Sequence, residues 1–430
     1  MSDPLTILFM PESAYGPTNN CIGIGDVLRR RGHRVVFAAE ESWRGRLEPL
    51  GFEEDLVALA PPSTTEQDPG QFWKDFVRET APEFRKPTID QLQAWVRPVW
   101  EQLIDGARYC QPQLAGILHR VRPDVVVEDN VVAFPALLTG AAPFVRIVSC
   151  NPLEMKGAGV PPTFSGYPSS DPGPWPAFRA EYERTHRELW ESFNDWVVAE
   201  GAPALPDLEF MPEGDLNLYV YPELADYSDR RPLGPRWHRL DSSVRRTEEQ
   251  FRLPERLAER DGPLVYFSLG SLGSADLELM RRVLGCLAQT PYRYVVSMGP
   301  LHRDLDLAEN MYGAEFVPQT TLLPLVDLVM THGGNNTVTE CFHFGKPMIV
   351  LPLFWDQYDN AQRVHELGLG VRLETYYFSD ADLSAAMERL LADSAVRSRL
   401  AGAGEQIRSR DGVGRAATLI EELGRRHRHD

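Results

Sequence analysis

A short apolar run that leads through a loop into a helix occurs at two places in this chain, and no other feature of the sequence constrains the fold as strongly. The first copy has an apolar run at 5–10, a loop at 11–19 and a helix-like stretch that ends near residue 31, before a second apolar run at 34–39. The second copy starts at 264–269 and continues into a helical segment. Strands that alternate with helices in this way predict an α/β fold with parallel sheets.

Further apolar runs extend both copies and divide the chain into two Rossmann-like units. We expect one domain at 1–225, a charged and proline-rich linker at 226–260, a second domain at 261–410, and a C-terminal helix or tail at 411–430. The additional strands are predicted at 125–127, 147–150, 219–221, 294–298, 328–331 and 348–351, with a Gly/Ser turn at 270–274 and a helix at 276–288. A length of 430 residues is enough for two such domains.

Charge and composition exclude several classes of function. The chain has 44 Lys and Arg against 62 Asp and Glu, a net charge of −18, so we expect no general binding of nucleic acid, which needs clustered positive charge. An apolar run of about 18 residues without charges would predict a membrane span, and the sequence has none. The five cysteines are scattered without a CxxC pair, and the first residues lack a basic stretch, so we expect a cytosolic protein with free thiols.

A strand followed by His332-Gly333-Gly334 gives the clearest chemical signal. The apolar residues at 326–331 predict a buried strand, and a helix is expected to begin directly after the two glycines. Glycines let the backbone approach a ligand closely, while the start of a helix offers free N–H groups and the positive end of its dipole. The histidine can donate a hydrogen bond to the same anion. We interpret this segment as a diphosphate site.

Two further groups of polar side chains follow the glycines. Asn336, Thr337 and Glu340 are spaced to share one face of the predicted helix. The Glu340 carboxylate can accept hydrogen bonds from sugar hydroxyls. Asp356 and Gln357 come after the next strand, at the edge of the sheet where α/β proteins bind ligands, and an acid beside an amide suits a polyhydroxylated ring.

The run 316–360 resembles the nucleotide-sugar signature of the family 1 glycosyltransferases of the GT-B fold. It contains a Pro-Gln pair, His-Gly-Gly, a Glu eight residues after the His, and Asp-Gln followed by Asn. The N-terminal half matches the family only in layout. The resemblance implies two Rossmann-like domains that face each other across a cleft. It further implies inverting transfer of a hexose, from a UDP-glucose-like or dTDP-deoxysugar donor to a small apolar or aromatic acceptor, without a metal or other cofactor.

The resemblance also implies roles for particular residues. Those expected to bind the donor are Gly270, Ser271, His332, Gly333, Gly334, Asn336 and Thr337 at the diphosphate, Phe316, Val317, Gln319 and Glu340 at the base and ribose, and Asp356 and Gln357 at the sugar. The acceptor is expected to lie against Tyr15, Pro17, Trp73 and Trp355. The family commonly has a tryptophan that stacks on the nucleobase. A phenylalanine at this position leaves open which nucleobase the donor carries. The sequence gives no indication of an oligomeric state.

The histidine that serves as base in this family is replaced. The family has a Gly-His pair 16 residues before the glycine of a second Gly-His pair. The second pair is Gly32-His33 here, and counting back from it gives Gly16-Pro17. His33 is the only histidine in the first 118 residues, and we expect it to cap or pack a helix end.

A carboxylate is therefore the expected base. The family has an acid after a strand of the first domain, and Asp129 after the strand at 125–127 fits this place. Glu12 at the end of the first strand is the alternative, and Asp26 is a more distant one. The missing histidine also keeps other functions open: transfer to carbon or nitrogen, a sugar-nucleotide epimerase, and a non-catalytic protein that binds sugar nucleotides.

Overall fold

Two parallel sheets form the frame of the protein and confirm the predicted α/β fold. The structure is a computed structural model that describes residues 3–62, 75, 78–79 and 81–429. The strands of the first sheet are β1 (Thr6–Pro11), β2 (Arg34–Phe37), β3 (Glu53–Glu54), β4 (Val125–Asp129), β5 (Phe144–Val148), β6 (Leu216–Tyr219) and β7 (Trp237–Arg239). Their spatial order is β3-β2-β1-β4-β5-β6-β7, with parallel pairing throughout.

The second sheet repeats this order with one strand fewer in the described residues. Its strands are β8 (Leu264–Ser268), β9 (Arg293–Ser297), β10 (Met311–Ala314), β11 (Leu328–Thr331), β12 (Met348–Val350) and β13 (Gly370–Arg372). The order β10-β9-β8-β11-β12-β13 is parallel throughout. The chain reverses its direction of winding between β1 and β4 in the first sheet and between β8 and β11 in the second. Such switch points open a crevice at the carboxyl ends of the strands, where ligands bind.

Helices cover the faces of the two sheets. Those of ten or more residues are α1 (Tyr15–Arg30), α2 (Arg97–Val121), α3 (Trp175–Ala199), α4 (Leu277–Ala288), α5 (Asn335–Phe344), α6 (Gln357–Glu366), α7 (Asp380–Ala392), α8 (Ser394–Ser409) and α9 (Gly412–His429). Short α-helical turns lie at Thr88–Gln91, Pro135–Leu138, Glu255–Ala258, Gly270–Gly273 and Gln319–Leu322. Shorter 3₁₀ or π segments lie at Glu41–Trp43, Glu48–Leu50, Ala81–Arg85, Leu92–Val96, Pro152–Glu154, Glu223–Ala225, His302–Asp304 and Leu323–Leu325.

The structure corrects the sequence prediction near the first loop and in the linker. Residues 11–19 were expected to form a loop, but α1 already begins at Tyr15, and Pro17 lies in its first turn, where a missing N–H breaks no helical hydrogen bond. The expected linker at 226–260 contains β7, which pairs with β6 and extends the first sheet. This strand has three residues, too few for a recognisable alternation of apolar and polar side chains.

The strands predicted at 147–150 and 219–221 begin earlier than expected. In the structure β5 and β6 end at Val148 and Tyr219, and the apolar residues after them continue towards the second domain. Val220 still donates its N–H to the carbonyl of Val148, at 3.0 Å, but its own carbonyl accepts a hydrogen bond from α5. These apolar runs therefore serve both the sheet and the contact between the domains.

The C-terminal helix α9 returns to the first domain. Val413, Ala416, Ala417 and Ile420 are buried in one cluster with Leu5 and other residues of the first sheet. His33 accepts a hydrogen bond from the N–H of Leu5 at 3.0 Å and pairs with Glu421 of α9 at 2.8 Å. His33 thus joins a helix end to the sheet and to α9, in keeping with the structural role expected for it. Among the described residues, none of the helices is long and apolar enough to cross a membrane.

We predict that Ile420→Ala destabilises the protein, because the side chain is fully buried between α9 and the first sheet. Removal of a buried isoleucine side chain costs about 2–5 kcal/mol in the free energy of unfolding. Denaturant unfolding followed by tryptophan fluorescence measures this loss. Glu422→Ala changes an exposed residue of the same helix and is expected to stay within about 0.5 kcal/mol of the original chain. Equal stabilities of the two variants would contradict the packing described.

Candidate active site

His332 lies at the switch point of the second sheet, between two glycines. It follows β11, while Gly270 follows the neighbouring strand β8. A Cβ atom on Gly270 would lie 2.8 Å from Cε1 of His332, and one on Gly334 would lie 2.5 Å from its Nε2. Both distances are too short for any side chain, so the imidazole position requires glycine on both sides.

The surroundings of His332 keep its imidazole neutral. Burial lowers the pKa of His332 to about 4, so near pH 7 one ring nitrogen donates and the other accepts. Gly333 has φ +90°, and a Cβ there would lie 2.7 Å from Val350. The chain can therefore turn sharply from β11 into α5 only with glycine at this position. The N–H groups at the start of α5, with a neutral donor beside them, form a site suited to an anion.

Gln319 connects the residues predicted to bind the ribose. Its Nε2 donates to Glu340 at 2.6 Å and to Thr337 at 3.3 Å, and its Oε1 accepts from the hydroxyl of Tyr266 at 2.9 Å. The structure thus brings Gln319, predicted at the base and ribose, into contact with two residues of the predicted helix face, Thr337 and Glu340. The other oxygen of Glu340 accepts from Arg245 at 2.8 Å.

Asn336 faces the first domain. Its Oδ1 accepts from Asn20 at 2.9 Å, and its Nδ2 donates to the carbonyl of Gly16 at 2.9 Å. Both partners belong to α1. The residue predicted to bind the diphosphate therefore also links the start of α5 to the helix that contains Pro17.

The acid and amide predicted for the sugar both have protein partners. Oδ2 of Asp356 accepts from the backbone N–H of Asn151 at 2.7 Å, and burial raises the pKa of Asp356 to about 7. Gln357 begins α6, and its Oε1 accepts from the N–H groups of Leu353 and Phe354 at 3.0 and 3.3 Å. Gln357 therefore holds the loop that precedes it, which places Asp356 at the edge of the cleft.

Asparagine side chains fasten the two domains together beside these residues. Asn335 donates through Nδ2 to the carbonyls of Ser149 and Val220, at 2.8 and 3.0 Å, just beyond β5 and β6. Asn151 donates through Nδ2 to Asn360 at 2.8 Å, and Asn360 donates to the carbonyl of Gly333 at 2.9 Å. The sequence prediction missed these residues. The asparagine next to the glycines and the Asn-Pro pair after a strand were the available signals.

The residues predicted at the base and at the phosphates lie at the rim of this region. Phe316 is 51% exposed, and its ring centroid lies 5.5 Å from that of Tyr15. Val317 is partly buried against the second-domain core. Ser271 is partly exposed in the short helix that starts at Gly270. Tyr15, which the sequence predicts at the acceptor, lies beside Phe316, the residue predicted to stack on the nucleobase.

Asp129 and Glu12 lie together at the switch point of the first sheet. Asp129 ends β4, and its carbonyl accepts the N–H of Glu12 at 2.8 Å. Its Oδ1 accepts from the hydroxyl of Ser149 at 2.7 Å, whereas Oδ2 is buried without a hydrogen-bond partner among the described residues. Burial raises the pKa of Asp129 well above its usual range, with further contributions from the charges of Glu154 and Glu12.

Glu12 has a local structural role. Its carboxylate accepts the N–H of Ala14 and the hydroxyl of Ser13, each at 3.1 Å, just before α1 begins. Burial raises the pKa of Glu12, and the charge of Glu40 adds to the shift. Glu12 therefore supports the turn into the helix, while Asp129 keeps a free oxygen.

A small cavity of the first domain is lined by aromatic side chains together with charged ones, among them Arg146, Glu154, Lys156 and Glu209. Trp355, with φ +57°, packs on Phe164 and Trp100, with ring centroids 4.4 and 5.4 Å apart. Phe164 and Trp100 line the cavity, and Nε1 of Trp100 is buried there without a hydrogen-bond partner among the described residues. Glu154, paired with Arg146 at 2.9 Å, lines the cavity as well. Trp355, which the sequence predicts at the acceptor, thus packs on two residues that line this cavity, and Trp73, predicted at the acceptor as well, lies outside the described residues.

Comparison with known proteins bears on the fold and on the type of enzyme. Residues 256–400 match the family described as UDP-glucoronosyl and UDP-glucosyl transferase. The demethyllactenocin mycarosyltransferase of Streptomyces fradiae is 27% identical over 97% of this chain and 86% of its own. The chain is a glycosyltransferase of the GT-B fold. The solved glycotransferase of kitacinnamycin matches it with a TM-score of 0.72 and 23% identity over 98% of this chain and all (100%) of that one. The glycosyltransferase VinC, solved with dTDP, matches with a TM-score of 0.64 and 18% identity over 98% of this chain and 100% of VinC.

We predict that Asp356→Asn changes how the stability of this glycosyltransferase depends on pH. Asp356 has a raised pKa in the folded protein, about 7 against 3.8, so the folded state binds this proton more tightly than the unfolded state. The original chain therefore loses stability as the pH rises from about 4 to 7, whereas the amide variant keeps its stability over this range as far as residue 356 is concerned. The contribution of the Asp356 proton to the free energy of unfolding is roughly 4 kcal/mol, at 1.4 kcal/mol for each pKa unit.

Thermal unfolding between pH 4 and 8 tests this prediction. Asp356→Asn should gain in melting temperature relative to the original chain as the pH rises. Asp229→Asn, which alters an exposed carboxylate, should run parallel to the original chain. A constant difference between Asp356→Asn and the original chain at every pH would contradict the prediction.

Proposed function

We propose that the enzyme transfers a hexose from a nucleoside-diphosphate sugar to an apolar or aromatic small molecule, with inversion at the anomeric carbon. One observation carries this proposal: the anion site around His332 and the carboxyl of Asp129 lie at the switch points of the two sheets. Hydrogen bonds from α5 to α1 and to the ends of β5 and β6 join these two regions directly. A donor on one side and an acceptor on the other would meet between them.

The donor would lie along the second domain. The N–H groups at the start of α5 and the neutral His332 would hold the diphosphate and stabilise the charge that grows on it as it leaves. The ribose hydroxyls would donate to Glu340, and the sugar hydroxyls would meet Asp356. The description of the matching family names UDP-linked sugars, and VinC was solved with dTDP, so both nucleotides belong in the first screen.

The acceptor would approach through aromatic residues that both domains contribute. Trp355, Trp100 and Phe164 offer apolar faces, and the unpartnered N–H of Trp100 offers one hydrogen bond. A site with these properties favours a flat or polycyclic molecule that carries an oxygen. The natural-product transferases among the relatives support this class of acceptor.

Asp129 would take the proton of the acceptor hydroxyl. The acceptor oxygen forms its bond to the anomeric carbon while the bond from that carbon to the diphosphate oxygen breaks, and the nucleoside diphosphate leaves with the electron pair. A carboxylate of ordinary pKa is a weak base for an alcohol. Burial raises the proton affinity of Asp129, which makes its ionised form a stronger base, and its Oδ2 has no hydrogen-bond partner among the described residues.

We predict that a nucleoside-diphosphate sugar stabilises the protein and that Phe316→Ala weakens this binding. Stacking of a base on an aromatic ring contributes about 1–3 kcal/mol, so the dissociation constant should rise about tenfold or more. A thermal-shift screen of UDP-, dTDP- and GDP-sugars, followed by calorimetry, measures both effects. Tyr377→Ala, which removes an aromatic side chain that is 71% exposed, is the matched control and should bind normally. Absence of stabilisation by every sugar nucleotide would refute the proposed function.

We predict that Asp129→Asn lowers kcat by a factor of about 10² to 10⁴ with little change in donor affinity, because general-base catalysis contributes about this much. In the original chain kcat should rise with pH, since only ionised Asp129 accepts a proton. Mass spectrometry of products from an acceptor library gives the rates. Asp26→Asn, at another buried carboxylate, which pairs with Arg29 and Arg30, is the control. Full activity of Asp129→Asn with every accepted substrate would overturn this role.

A further inference from the structure

Arg245 lies in the segment that connects the two domains, and its guanidinium is buried next to the donor residues. Only 8% of the residue is exposed. Its NH1 donates to Oε1 of Glu340 at 2.8 Å, while its NH2 pairs with Glu248. Nothing in the sequence distinguishes this arginine from its neighbours in the charged segment 226–260.

The helix α1 and the residues Glu248 and Glu340 together fix the position of Arg245. A Cβ on Gly23 of α1 would lie 3.5 Å from Cα of Arg245, so the backbone of the segment runs along that helix. The carboxylate of Glu248 accepts both the N–H and the hydroxyl of Thr320, each at 2.7 Å, in the short helix that begins with Gln319. The guanidinium therefore has a fixed position between the first domain and the second.

The carboxylate of Glu340 can hold Arg245 and a ligand at the same time. A carboxylate has about four acceptor positions on its two oxygens. Arg245 uses one on Oε1 and Gln319 uses one on Oε2, at 2.8 and 2.6 Å. Two positions remain for ribose hydroxyls. Arg245 and a ligand can therefore donate hydrogen bonds to the carboxylate of Glu340 at the same time.

Arg245 also governs the charge of Glu340. Burial raises the pKa of Glu340, and the positive charge of Arg245 is the largest influence that lowers it. The charge of Glu248 acts in the opposite direction, and Tyr266 and Cys341 are the other titratable groups that interact with Glu340. A protonated Glu340 would lose acceptor capacity for the ribose hydroxyls.

We propose that Arg245 is a positioning residue for nucleotide binding: it holds Glu340 in the orientation and the ionised form that accept the ribose hydroxyls. This inference rests on the proposed function, because it takes Glu340 as the ribose ligand. It adds that the segment between the domains supplies part of the nucleotide site, so donor recognition depends on a residue outside the second Rossmann-like domain.

The test compares nucleotides with and without ribose hydroxyls. Calorimetry gives the dissociation constants of whichever of UDP, dTDP or GDP binds the original chain, and of its 2′,3′-dideoxy analogue, at pH 6 and pH 8.5. Arg245→Met should weaken binding of the natural nucleotide about tenfold at pH 6 and less at pH 8.5, where Glu340 ionises without help. Binding of the dideoxy analogue should change little. Arg245→Lys should restore part of the loss.

Two further variants keep the test decisive. Arg410→Met removes another arginine that binds the connecting segment, at Asp241, and should leave nucleotide binding unchanged. Glu340→Gln should show the same selective loss as Arg245→Met, and the double variant should lose no more than the larger single effect. If Arg245→Met does not fold, Arg245→Lys and Glu340→Gln still measure the dependence on ribose hydroxyls.

The outcomes separate this inference from the proposed function. If the original chain binds no nucleotide, the proposed function fails. If it binds a nucleotide and Arg245→Met binds equally well or more tightly, only the role of Arg245 fails. An equal loss for the natural and the dideoxy nucleotide would also overturn it, because a general disturbance of the fold does not distinguish the two ligands.

Discussion

Hydrogen bonds from asparagine side chains to backbone atoms set the position of one switch point relative to the other. Asn335 reaches the carbonyls beyond β5 and β6, and Asn336 joins α5 to α1. An amide side chain donates and accepts at once, so it can satisfy buried backbone groups that strands and helices leave unpaired at their ends. Because His332 and Asp129 belong to different sheets, their separation depends on these contacts together with the buried apolar clusters that contain residues of both domains.

The contact between the two domains also explains why carboxyl groups near the site are buried. Asp356 and Asp359 accept backbone N–H groups from the segment that follows β5, and burial raises the pKa of each, to about 7 and about 8. Each carboxyl thus contributes to the domain contact in a form that is only partly charged near neutral pH. Burial raises the pKa of Glu340 as well, but the guanidinium of Arg245 next to it opposes this rise. Asp356 and Glu340, the two carboxyl groups proposed to accept hydrogen bonds from the donor, thus differ in whether a positive charge lies beside them.

The sequence predicted most of the frame and several second-domain residues that lie close together in the structure. Long apolar runs gave β1, β8 and β11, since these strands are buried on both faces, and His-Gly-Gly gave the start of α5. The short edge strands carry no alternation that could identify them. The role of Arg245 depends on a contact between residues 95 positions apart, and no local pattern records such a contact. Tyr15 was expected at the acceptor, and in the structure α1 places its ring next to that of Phe316, a contact that no local pattern of the sequence predicts.

The replacement of the family histidine by Pro17 becomes understandable in this geometry. Pro17 lies in the first turn of α1, where its ring helps to start the helix, and the neighbouring carbonyl of Gly16 is held by Asn336. An imidazole at this place would need an acid to orient it, and Asp129 is the acid of that region. No imidazole lies beside Asp129 in this arrangement, and its Oδ2 is buried without a hydrogen-bond partner among the described residues, so that desolvation raises the proton affinity of the carboxyl. The proposed role of Asp129 as base therefore rests on this desolvation, because a carboxylate of ordinary pKa is a weak base for an alcohol.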